Sequence, residues 1–235
     1  MDIKDWVIQE TLKMEVYKIL ANCYYQPGPD LIGKLDHYNR DVDFAFRQVA
    51  NYMLKMKDEI RQLKDLDCLK IDFTRLFIGP YALLAPPYGS VYLENDFRVM
   101  GDSTLHALEM YRETGVNVAD GFNDAPDHIA AELEFIYFLI FKEIEAINNS
   151  DLDGVIMYVE KRKTFLLTHL GSWIADFARN VEENAETEFY KNLARATKVF
   201  IMRDLEELLE ITRSFEESGY LSISREEGSI NEIFR

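Results

Sequence analysis

Glycine and proline are scarce in this 235-residue chain, at 11 and 6. Collagen-like and low-complexity chains are thereby excluded, and long regular elements joined by few turns are favoured. Cysteine is scarcer still. Cys23 and Cys68 stand alone, neither in a CxxC pair, so a disulfide framework, a zinc ribbon and a redox dithiol have no support. Positive charge is in deficit: 26 Lys and Arg face 42 Asp and Glu, a formal charge of −16 at pH 7. That balance argues against sequence-independent nucleic-acid binding and against insertion at anionic membrane, and it favours a basic partner. Long apolar runs are missing as well. The longest aromatic-aliphatic stretch, Phe135 to Phe141, has seven residues, far short of a membrane span. The N-terminus, MDIKDWVIQE, lacks the basic-then-apolar order of a secretory signal. A cytoplasmic, soluble protein is expected.

What is present is apolar mass at helical spacing. Hydrophobic residues make up 48% and aromatics 13%, enough for a core and too much for general disorder. Leu12, Val16, Ile19, Leu20 and Cys23 form one stripe, ended by Gln26-Pro27-Gly28-Pro29. Asp30 is placed to cap a short helix through His37. Further helices are expected at about 41–66 (Phe46, Val49, Met53, Met56, Ile60), from Asp67 to a Gly79-Pro80 stop, at 104–114 with Asp102 or Ser103 as cap, and at 126–147. One helix is expected over 152–181 and a last one over 185–218, with a loosely ordered tail after Gly219. No strand pattern, repeat or low-complexity segment competes. The expectation is an all-α bundle of roughly eight to ten helices, a single domain over 1–235, with a hinge at 115–124 that would allow an exchange of halves between two copies; the default is a monomer. The exception to helical period is Gly79 to Gly101, which holds three of the six prolines and several aromatics. A loop this long is usually functional, and its aromatics should lie across helices as part of a surface groove.

Catalytic signatures are missing. There is no GxxxxGK[ST] or GxGxxG phosphate cradle, no GxSxG elbow and no pair of ExxH motifs. The densest polar cluster is Asp124, Asp127, His128 and Glu132, with Asp102 and His106 a similar pair. These residues suit a metal-dependent hydrolase as a second reading, but the set has no established ligand spacing, and an aspartate capping a helix N-terminus explains it more simply. Phe73, Leu76 and Phe77 share a helix face just before the aromatic loop, which reads as core or as groove wall. His169 and Trp173, one turn apart, read as packed helix. A plain structural subunit of a larger complex is the third class.

Five blocks in order carry a specific resemblance: FTRLFIGP, PPYGSVYLE, GDSTLHALEMYRETGV, APDHIAAELEFIYFL and FLLTHLGSW. They span about 70–177, and their order and spacing resemble the TorD/DmsD family of redox-enzyme maturation chaperones, related to the NarJ group. The resemblance implies an all-α cytoplasmic chaperone, not an enzyme, without metal or cofactor of its own. It would bind the twin-arginine signal peptide of a molybdenum-containing reductase of the dimethyl sulfoxide or trimethylamine N-oxide type and hold that catalytic subunit until its cofactor is inserted. Residues carried over by motif are Phe73, Leu76, Phe77, Pro87, Tyr88, Gly101, Ser103, Asp127 and His128. Ala125 stands where many members have glutamate, so the acidic side of that turn rests on Asp124 and Asp127. Guanidinium groups pair with carboxylates, for which Asp124, Asp127 and Asp102 are the candidates, and an apolar leader segment needs a greasy groove.

Overall fold

The structure, a computed structural model, describes residues 2–36, 45–79, 83–94, 99–116 and 124–217. Among these residues there are ten α-helices and no strand: α1 (Ile3–Cys23), α2 (Leu31–Asp36), α3 (Arg47–Gln62), α4 (Asp67–Phe73), α5 (Gly89–Leu93), α6 (Asp102–Glu113), α7 (Ile129–Asn148), α8 (Leu152–Thr168), α9 (Leu170–Asn184) and α10 (Glu188–Glu217). A π-helical turn, Thr74–Ile78, continues α4.

Local chemistry sets several of these boundaries. Asp2 accepts the N–H groups of Lys4 and Asp5 at the start of α1, and Asp151 accepts that of Gly154 at the start of α8. Gly79 closes the π turn with φ of 56°, the left-handed stop its sequence position suggests. Packing is helix on helix. The middle helix α7, apolar on most sides, lies against α1 and α8, while α10 lies against α3 and α9. Phe189, Leu193, Phe200 and Leu208 form the buried stripe of α10. The Leu12–Cys23 stripe of α1 and the Val49–Ile60 stripe of α3 are buried as their spacing requires.

One polar network lies inside this packing. Arg162 of α8 is fully buried and pairs with Glu10, with Glu143 at 3.0 Å and with Asp204 at 3.2 Å. Lys13 joins it, 2.9 Å from both Glu10 and Asp204. Three buried carboxylates thus face two buried cations. Burial raises Glu143 to about 8, against the pull of Arg162, so near neutral pH it keeps a proton.

Two expectations need correction. The stretch 152–181 is two helices, because the chain breaks at His169 (φ −126°, ψ −108°). There it turns so tightly that a Cβ on Gly171 would stand 2.3 Å from the Leu166 carbonyl oxygen. The loop 79–101 is not wholly irregular, since it contains α5. The hinge expected at 115–124 falls largely on 117–123, and the tail on 218–235; both lie outside the described residues.

Candidate functional site

Motif residues far apart in sequence meet where the aromatic loop crosses the entry to α7. Tyr88 and His128 form an isolated antiparallel bridge. The Ile129 N–H donates to the Pro87 carbonyl at 2.8 Å, and the Gly89 N–H to the Asp127 carbonyl at 2.9 Å. The Asp127 carboxylate, 0% exposed, accepts the Ser90 N–H through Oδ2 at 2.7 Å. It therefore caps α5, not the helix that follows it. That helix, α7, is capped by His128, whose Nδ1 accepts the Ala130 N–H at 3.2 Å. Tyr88 donates its hydroxyl to exposed Asp124 at 2.6 Å, and its ring meets His128 edge-on at 5.5 Å. Burial holds His128 below the usual imidazole range despite Asp124 and Asp127, so it serves as a neutral acceptor. Pro87, Tyr88, Asp124, Asp127 and His128 thus make one latch that pins α5 to α7.

The other end of α5 is held in the same way. Ser103 donates to Glu94 Oε1 from its N–H at 2.9 Å and from its hydroxyl at 2.5 Å. Glu94 caps α6 in place of Asp102 or Ser103. These two bonds hold its carboxyl below the ordinary range, so it stays ionised. Gly101 lets the carboxylate cross: a Cβ there would lie 1.8 Å from Glu94 Oε2. Glu94 was not among the sequence candidates, and its only signal was its place at the end of PPYGSVYLE.

Between α5 and α9 lies a cleft of about 450 Å³, within the usual range for ligand sites. Leu84, Pro86, Val91 and Tyr92 form its apolar side, and Glu94 and Asp176 line it as well. Tyr92 stacks on Trp173 at 5.4 Å and 17°. The Trp173 indole N–H donates to Glu132 Oε2 at 2.9 Å. Burial lifts Glu132 well above the usual carboxyl range, so it holds its proton. Behind Trp173, His169 shares a 2.8 Å contact between its Nε2 and Nδ1 of His106.

Phe73, Leu76 and Phe77 are buried and do not line this cleft. Phe73 and Phe77 meet at 5.2 Å, and Phe77 packs on Phe177 at 6.1 Å and Tyr190 at 5.5 Å. Of the two readings of this face, core is what the structure has. Phe177 in turn touches Trp173 and Tyr92, so the triplet backs the cleft from inside. The hydrolase set is dispersed: Asp127 caps α5, Glu132 bonds Trp173 and His106 pairs with His169. Among the described residues no three His, Cys, Asp or Glu side chains are placed to hold a metal ion.

The family model described as nitrate reductase delta subunit matches residues 36–179, the segment that contains the latch, Glu94 and most of the cleft. The chain belongs to that family. It is 30% identical over 125 residues to the Tat proofreading chaperone DmsD of Salmonella typhimurium, a match covering 53% of this chain and 54% of the relative. It is 23% identical over 227 residues to the chaperone protein TorD of Shewanella pealeana, covering 87% and 96%. The matched segment spans 29% of the DmsD of Salmonella typhi and about half of the first relative above. Among solved structures, a protein from Archaeoglobus fulgidus described as a redox enzyme maturation protein superposes with a TM-score of 0.54 at 25% identity, over 80% of this chain and 93% of that one. The all-α architecture expected from the sequence is the one found among the described residues. Among the described residues no helix is long and apolar enough to cross a membrane.

Proposed function

We propose that this chain is a cytoplasmic chaperone, not an enzyme, for a molybdenum-containing reductase of the dimethyl sulfoxide or trimethylamine N-oxide type. It binds the twin-arginine signal peptide of that client and holds the catalytic subunit until its cofactor is in place and export can begin. The observation that carries this reading is the cleft between α5 and α9, lined by apolar side chains together with two carboxylates. A twin-arginine leader presents the complementary order, two guanidinium groups followed by an apolar stretch. Support comes also from the relatives, which bear the names Tat proofreading chaperone and chaperone TorD, and from the formal charge of −16, which draws a cationic peptide inward.

The placement of the motif residues changes their part in this reading. Buried Asp127 is already engaged by the Ser90 N–H, so it acts by holding α5, which carries Val91 and Tyr92 into the cleft. Gly101 and Ser103 act by holding Glu94. The test is calorimetric titration of the purified chain with signal peptides of molybdoenzymes, in their native and twin-lysine forms. Binding that favours the native form is expected. Failure of every such peptide at low salt would overturn the proposal.

A further inference from the structure

Resting on the signal-peptide reading, we infer that Glu94 and Asp176, which both line the cleft, are the acceptors for the leader's arginine pair, and that Ser103 is a positioning residue acting through Glu94. Any cationic leader needs carboxylates that remain ionised, remain reachable and keep lone pairs to spare. Asp127 fails this requirement because it is 0% exposed. Asp124 is exposed, but it is bonded to Tyr88 at the latch and does not line the cleft. Glu94 and Asp176 both line it.

Their surroundings suit the task. Ser103 places both its donors on Glu94 Oε1, which fixes the side chain and leaves acceptor capacity on a group with about four lone-pair sites. Asp176 is bonded to Arg179 at 2.6 Å in a pair whose side chains are 55% and 61% exposed. Such an exposed pair contributes little and is readily exchanged for an incoming guanidinium. The same cleft is lined by the apolar side chains of Val91, Tyr92, Pro86 and Leu84. An arginine stem lies well on a ring such as Tyr92, which its stack on Trp173 holds in place. Two guanidinium groups on adjacent residues, followed by apolar side chains, fit this arrangement of charge and apolar surface.

The experiment is calorimetry of the full chain against a synthetic twin-arginine leader and against versions with either arginine replaced by glutamine. The variants are Glu94→Gln, Asp176→Asn, Asp176→Lys, Ser103→Ala and Ser103→Thr. Glu94→Gln keeps an oxygen for Ser103, and Asp176→Asn alters an exposed position, so both should fold, as circular dichroism would verify. Each is expected to weaken binding of the native leader by about tenfold or more. Each should have little further effect once its own arginine is gone from the peptide. Ser103→Ala should weaken binding and Ser103→Thr should restore it, which a merely structural role for the hydroxyl would not require. Asp176→Lys should bind a leader whose first or second arginine is glutamate better than wild type does. Unchanged affinity in both carboxylate variants, with wild type binding the leader, overturns this assignment and leaves the signal-peptide reading standing. A wild type that binds no leader overturns both.

Discussion

Asp127 Oδ2 accepts the backbone N–H of Ser90 at 2.7 Å, so a carboxylate from the entry of α7 caps α5 from outside. Asp127→Ala is expected to lower the unfolding free energy by about 2–3 kcal/mol, because a charged acceptor is lost and a buried N–H is left unpaired. Asp127→Asn, which keeps an acceptor oxygen, should lose about half as much. Urea unfolding followed by near-ultraviolet circular dichroism tests this; equal stability of Asp127→Ala and wild type would mean that the contact does not hold α5.

Gly101 has φ of −95° and ψ of −162°, a conformation open to any residue, so its role is space and not backbone freedom. Gly101→Ala places a methyl group on the Glu94 carboxylate. The flexible end of Glu94 can move aside, so stability should change by less than about 1 kcal/mol while leader affinity falls. A variant that binds as wild type does would show that the Glu94 position is not needed.

Arg162 pairs with carboxyl groups from three other helices. Arg162→Leu is expected to cost about 3–5 kcal/mol, because uncompensated charge remains buried. Thermal unfolding near neutral pH measures it, and a loss below about 1 kcal/mol would contradict the role given to this network.

Glu143 reaches about 8 in the folded chain from an ordinary value of 4.5. Between those values the native state keeps a proton that the unfolded chain releases. Stability should therefore fall as pH rises through that window. Glu132, raised for the same reason of burial, acts in the same direction. Glu143→Gln should make the fall shallower between about pH 6 and 8 without abolishing it. An unchanged slope in chemical denaturation would show that Glu143 titrates normally.

His169 is lowered from 6.5 to about 4, first by burial and then by His106. Its 2.8 Å contact with the His106 ring admits only one proton between the two nitrogens. The unfolded chain takes up a proton at pH values where folded His169 does not, so this group removes stability as pH falls from about 6.5 to 4. Proton NMR titration should find the His169 imidazole still neutral near pH 5; a His169 resonance titrating near 6.5 would refute the pairing.

Much of the fold was legible because helix formation is a local matter. The stripes of α1, α3, α7 and α10 can be read from spacing alone, since burial demands apolar residues every three or four positions. The break at His169 was hidden, because the residues on either side keep a helical pattern and a tight reversal at Gly171 leaves no periodic mark. Phe73, Leu76 and Phe77 show the same limit. Their spacing places them on one face but does not say whether that face meets solvent or Phe177 and Tyr190.

By itself the sequence determined the all-α class, most helix stripes, the strong negative charge and the family resemblance carried by five blocks in order. Only tertiary structure decided which helix each of several carboxylates caps. Asp127 caps α5, Glu94 caps α6, and Asp72 accepts the N–H groups of Glu186 and Thr187 at the start of α10. In each case a helix receives its cap from a residue outside its own first turns. The physical reason is that unpaired N–H groups at a helix start must find acceptors, but nothing requires those acceptors to be near in sequence.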